Sequence, residues 1–236
     1  MKKGINLIKR VILFFIGMSI IQLGVALFLR TNIGSDTFTV FTQGLSETLN
    51  KTSLSSNAVV NMISGNKGVT PGVANMIILI FMFCAILFIE RKRINIGTLI
   101  CVIGVGPIID LGVKIISYFP VESYNIFIRM LLVVFGCFII AVGFSILSAA
   151  NIGVAPNDII PFIIVDKTKI EYRWVRIALD AAFLIGGYFL GGKVGIGTVL
   201  SMLAIGPFIQ MCLPTGEKFV GLIVNGKHQG LEEATA

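Results

Sequence analysis

The chain has 236 residues, of which 56% are hydrophobic and only 13% charged, with a mean hydropathy of +0.94. A soluble domain carries about twice that share of charge, so a soluble globular fold is excluded and an integral membrane protein is expected. The formal net charge is +7. Its basic residues sit between apolar runs, as in loops facing anionic lipid, and no basic patch with interleaved aromatics points to nucleic acid. Cys84, Cys101, Cys137 and Cys212 lie in or at the ends of apolar runs without ligand spacing, and His228 is the single histidine. No metal site, cofactor or disulfide is expected.

In chain order, the first apolar run extends from Val11 to Leu29 behind Lys2, Lys3, Lys9 and Arg10. It is too long for a signal-peptide core and no small-residue cleavage site follows, so a retained span is expected. Crossing the hydrocarbon takes about 20 apolar residues. Six segments qualify: 11–29, 73–89, 95–117, 126–148, 174–190 and 195–213. Two shorter ones do not. Segment 35–49 carries Asp36, Thr37, Thr39, Thr42, Gln43, Ser46 and Glu47, with Phe38, Phe41, Leu45 and Leu49 as one apolar stripe. Segment 154–165 is broken by Pro156 and Pro161. Both read as re-entrant or interfacial half-helices, tolerated only where protein or a wet cavity surrounds them. Residues 214–236 read as a polar cytoplasmic tail.

The fold expected is therefore an all-α membrane protein forming a single membrane domain over 1–236. Basic clusters at the N-terminus, at Arg91-Lys92-Arg93 and at Lys167, Lys169 and Arg173 fall on one side if the half-helices do not cross. The rule that cytoplasmic loops are basic puts both termini, 90–94 and 166–173 in the cytoplasm, with 50–72 and 118–125 outside.

The chain also repeats itself. Gly17, Gly24, Asn32, Ile33 and Gly34 match Gly136, Gly143, Asn151, Ile152 and Gly153 at a constant offset (136 − 17 and 151 − 32 are both 119). Ile96-Gly97-Thr98 and Gly106-Pro107 match Ile196-Gly197-Thr198 and Gly206-Pro207 at an offset of 100. The surplus of 19 falls near 50–72, where a loop insertion is expected. Each copy, 11–117 and 126–213, is one span, a half-helix and two spans. Three crossings per copy make the repeats inverted in topology, an arrangement common in secondary transporters.

These residues give the chain its resemblance to the YczE/YyaS/YitT family of bacterial multi-pass membrane proteins, and to its YczE-like branch in particular. The motifs are Asn151-Ile152-Gly153-Val154-Ala155-Pro156-Asn157-Asp158, Gly195-Ile196-Gly197-Thr198 and Ile205-Gly206-Pro207, with first-copy counterparts Asn32-Ile33-Gly34, Gly97-Thr98 and Ile103–Asp110. The resemblance covers essentially the whole chain and implies a multi-pass protein of the cell membrane. The first copy departs from it: Gly34-Ser35-Asp36 replaces the Pro and Asp after the glycine, and Thr39 aligns with Asp158.

Candidate ligand-binding residues follow from the breaks. At Asn32, Gly34 and Asp36, and at Asn151, Gly153, Asn157 and Asp158, free N–H groups and carboxylates at a broken helix suit a polar ligand or cation; plain helix capping by Asn is the alternative. Gly106-Pro107 and Gly206-Pro207 fit either a kink that exposes carbonyls or close helix packing. Asp110 and Gln210 hold equivalent positions three residues past each Gly-Pro, and Lys114 is placed to pair with Asp110 along the helix, as Arg176 is with Asp180. Gln210 and Asp110 are expected near a shared central space. No catalytic motif occurs, so an enzyme is not expected. The leading expectation is a transporter or channel for a small polar solute or ion. The alternatives are an accessory protein that serves a membrane partner and, third, an intramembrane enzyme. The lipid bilayer is the one partner the sequence requires.

Overall fold

A computed structural model describes residues 2–51 and 68–225. Eight α-helices occur among the described residues: α1 Lys2–Thr31, α2 Thr37–Lys51, α3 Pro71–Ile89, α4 Ile96–Ile116, α5 Ile126–Ala150, α6 Pro156–Thr168, α7 Tyr172–Phe189 and α8 Ile196–Asn225. No strand occurs among them. Most of 50–72, and everything beyond Asn225, lies outside the described residues.

Five helices are long and apolar enough to cross a membrane: α1, α3, α4, α5 and α8. The expected sixth, α7, has 18 residues but carries Arg173, Arg176 and Asp180, too many charges for the same apolar criterion. The two shorter segments are helical, as their patterns predict. The polar tail expected from 214 begins instead as helix. Gly216, Val220 and Val224 recur every four residues as a buried stripe, which carries α8 through Pro214 to Asn225. Val220 and Val224 join the main core with Phe14, Met18, Leu79, Val102 and Leu147.

Apolar burial does not drive helix association in lipid, so close packing at small residues must. The central contact is between α1 and α5, which run antiparallel. A Cβ placed on Gly17 would lie 2.8 Å from the carbonyl oxygen of Gly143, and one on Gly24 would lie 2.9 Å from that of Gly136. Arginines close both ends of the pair. Arg129 Nε donates to the Thr31 carbonyl at 2.6 Å, and Arg10 Nη1 donates to the Ala150 carbonyl at 3.1 Å. Each cation thus satisfies the final carbonyl of the opposite helix. Arg129 follows Arg10, and Ala150 follows Thr31, by the repeat offset of 119.

Both helices then end in the same way. Asn32 and Asn151 take left-handed φ of 54° and 52°, a conformation asparagine tolerates better than most residues. They terminate the first spans. They do not cap the half-helices, as the sequence suggested they could: α2 is capped by Asp36, whose Oδ2 accepts from Thr39 N at 3.1 Å, and Ala155 holds the corresponding place before α6.

Candidate functional site

Two breaks, 32–36 and 151–155, separate the first spans from the half-helices, and each is held by the start of a later helix. Gly197 N donates to the Ile33 carbonyl at 2.9 Å, and Gly97 N donates to the Ile152 carbonyl at 3.3 Å. The glycines are required by space. A Cβ on Gly34 would stand 2.6 Å from Thr198 Oγ1, and one on Gly153 would stand 2.9 Å from Thr98 N. Asn32, Gly34, Asn151 and Gly153 therefore position the half-helices. Asn151 is exposed, and Asn32 Oδ1 accepts from Lys193 Nζ at 2.6 Å.

From its break, α2 runs alongside α7 in the same direction. Thr37 lies beside Asp180, Phe41 beside Phe183, and Thr48 beside Leu190. The start of α2 thus lies about halfway along α7. The start of α6 comes to the same stretch from another side. Arg176 Nη1 is 3.5 Å from Asp158 Oδ1, while its Nε is 3.4 Å from Asp180 Oδ2. Thr37 Oγ1 donates to Asp180 Oδ1 at 3.0 Å. One chain of contacts therefore joins the two half-helices through α7: Asp158, Arg176, Asp180, Thr37. Asp36 lies within electrostatic reach of Arg176 and Asp180.

A recess opens at this junction, lined by Phe38, Asn157, Pro161, Arg176, Leu179, Asp180 and Phe183. It is small, with room for roughly one water molecule. Phe38 and Phe183 meet edge to face, with centroids 5.3 Å apart. The recess suits an ion, a water or one small polar group held by a carboxylate and a guanidinium.

The structure thus brings Asp36, Asn157 and Asp158 together. It adds Arg176, Asp180, Thr37 and the two phenylalanines, which the sequence reading left out of the site. The Arg176–Asp180 spacing was visible as a pair within one helix; its bond to Asp158 is tertiary and has no sequence signal.

The Gly-Pro and Asp110/Gln210 positions behave differently. Helices α4 and α8 continue unbroken through Pro107 and Pro207. Gly106 packs against Gly72 of α3, whereas a Cβ on Gly206 would meet nothing within 4 Å. Asp110 makes no ion pair with Lys114 among the described residues. Its Oδ2 accepts from Thr70 Oγ1 at 2.6 Å and its Oδ1 from Gly72 N at 3.1 Å, so it caps the start of α3 alongside Thr70. Two donors at a helix start, fixed in position, outcompete a flexible lysine one turn away. Gln210 is exposed. The expected shared space for Asp110 and Gln210 is not what surrounds them. Asp110→Ala is expected to cost about 0.5–2 kcal/mol, as loss of a helix cap does, and Lys114→Met is expected to give no rescue in a thermal melt of the double variant.

Comparison with known proteins fits this architecture. Residues 8–214 match a family described as "Family of unknown function (DUF6198)". The chain belongs to that family. The DUF6198 chain is 24% identical over 208 residues to an uncharacterized protein of Haemophilus influenzae, covering 87% of this chain and 84% of that protein. It is 27% identical over 120 residues to the uncharacterized membrane protein YczE of Bacillus subtilis, covering 51% of this chain and 54% of YczE. With the uncharacterized protein YyaS of the same organism it shares 24% identity over 205 residues, covering 86% and 92% of the two chains. The resemblance to the YczE/YyaS/YitT family is borne out, and the DUF6198 chain is a multi-pass membrane protein. No solved structure matches it.

Proposed function

We propose that the protein is a transporter or channel for a small polar solute or ion. In this reading six helices cross the membrane, α7 included, as two inverted-topology repeats with both chain ends in the cytoplasm. The observation that carries it is the junction of Asp158, Arg176, Asp180 and Thr37, which gathers two half-helix starts halfway along a membrane-length helix. Charged groups at that depth cost several kcal/mol in lipid, and a polar pathway is the ordinary reason to keep them. The antiparallel α1–α5 contact and the reciprocal arginine caps support the inverted repeat, because each repeat supplies the other with the same contact. The charges of Arg176 and Asp180 on α7 are then explained: they face the half-helices.

Two labelling experiments test this. Single cysteines at Ser123 and Lys169, in a chain whose native cysteines are replaced, are expected to label from opposite sides with an impermeant thiol reagent. Labelling from the same side would mean that the repeats are not inverted. Cysteines at Asn157 and Phe183 are expected to react with a small water-soluble thiol reagent in the membrane. Full protection of both would make the junction a sealed structural cluster and defeat the transport reading.

One observation favours a second reading, that of an accessory protein. Only 17% of the most apolar stretch of α8 is buried, against 39–50% for the other four spans. Its bare face includes Gly206 and Gln210, a small residue and a polar one that suit a partner helix. A saturable response to a small molecule or ion in a thermal-shift panel favours transport over this second reading.

A further inference from the structure

The break between α1 and α2 holds two oxygens whose bonding is incomplete. Ser35 is 2% exposed and its Oγ has no hydrogen-bond partner. Asp36 uses Oδ2 to cap α2, while its Oδ1 is buried with no partner. An unpaired buried polar atom carries an uncompensated desolvation penalty, larger when charged, so two on adjacent residues require a cause.

A proton on Asp36 would remove the charge but leave the Ser35 oxygen unsatisfied. A cation held between the two residues would satisfy the serine oxygen as well as the carboxylate. We propose that Ser35 and Asp36 form the core of a binding site for one small alkali cation, of sodium's size class, at the start of α2. The proposal rests on the transport reading and assigns the ion as the coupling or co-transported species.

The chemistry limits the ion. The free donors are hard oxygens, which select against soft transition metals. A single carboxylate oxygen is a poor match for a divalent ion, which usually draws on several carboxylates. Among the described residues no three His, Cys, Asp or Glu side chains are grouped to hold a metal ion. Thr198 Oγ1, packed against Gly34, is a further oxygen at the same break, and unwound backbone of this kind supplies carbonyls to ions in transporters. The positive end of α2 disfavours a bare cation; the Asp36 carboxylate offsets it, while Asp180 and Arg176 of α7 act on the site with opposite signs. The second break does not duplicate the site. Ala155 replaces Asp36 as the cap there, and Asp158 is engaged by Arg176. One ion per chain is expected.

The full-length protein in detergent, melted in sodium chloride and in N-methylglucamine chloride at equal ionic strength, tests the site. Sodium is expected to raise the melting temperature of the native chain saturably. Asp36→Asn is expected to abolish that rise while keeping α2 capped, since asparagine caps as well as aspartate. Ser35→Ala is expected to weaken the apparent affinity at least tenfold. Without sodium it should melt no lower than the native chain, because it deletes an unpaired hydroxyl. No sodium-specific rise in the native chain, or an equal rise in both variants, would overturn the proposal. So would a rise that follows pH and is the same in both salts, which would put a proton on Asp36. The thiol test at Asn157 and Phe183 reads transport separately: a labelled recess with no sodium response sinks the ion site alone.

Discussion

Gly34→Ala is expected to be strongly damaging, and Gly206→Ala one of the mildest glycine changes among the described residues. Gly34 has φ of 106°, and a Cβ there would stand 2.6 Å from Thr198 Oγ1 and 2.8 Å from Gly195 N. Backbone strain of this kind costs about 1–3 kcal/mol, and overpacking adds about 1–3 kcal/mol. The two together predict a fall in melting temperature of roughly 5–20 °C. Gly206 sits within a helix with open space around it, where alanine is favoured over glycine by about 0.5–1 kcal/mol. Its variant is therefore expected to melt at or slightly above the native temperature. Equal melting of the two variants would mean that the start of α8 does not hold the first break.

Arg176→Gln is expected to abolish solute or ion flux in proteoliposomes while leaving a folded protein. It deprives Asp158 and Asp180 of their cation, with Asp36 close by. The side chains are 41%, 27% and 28% exposed for Arg176, Asp158 and Asp180, so solvent screens the pairs in part. The loss lies between that of a surface pair, about 0–1 kcal/mol, and that of a buried pair broken on one side, about 3–5 kcal/mol. Adding Asp180→Asn removes the stranded charge and is expected to restore most of the melting temperature without restoring flux. Recovery of both would give the cluster a structural role only. If Arg176→Gln leaves flux unchanged, Arg176 is not part of the pathway.

The spans, the half-helices and the matching breaks were legible because each depends on local pattern: apolar length, helical stripe, and Asn-Ile-Gly at a fixed offset. What lay across space was not. Asp110 and Lys114 have the spacing of an ion pair, yet Thr70 and Gly72 approach from α3 and take the carboxylate. Arg176 and Asp180 looked self-sufficient on their own helix, and nothing local reveals that Asp158 shares the guanidinium. The last turns of α8 were missed because a stripe of Gly216, Val220 and Val224 needs only every fourth residue to be small or apolar, which a search for apolar runs passes over. Arg10 and Arg129 carried a usable signal, the same offset of 119 that relates the breaks. It is masked because Arg10 stands within the N-terminal basic cluster, whose charge marks orientation.

Those two arginines bear on how the chain is made. When α1 enters the bilayer, the cation that closes its Thr31 end is 98 residues away in sequence and not yet synthesised. Until it arrives, the Thr31 carbonyl at the end of α1 must find another partner. The first half is therefore a poor candidate for an autonomous unit, and ribosomes stalled before residue 129 should present an N-terminal half that quality-control proteases remove. The second half has the converse need for Arg10, which is already in place. Assembly is in this sense directional: the early half waits, and the late half completes both.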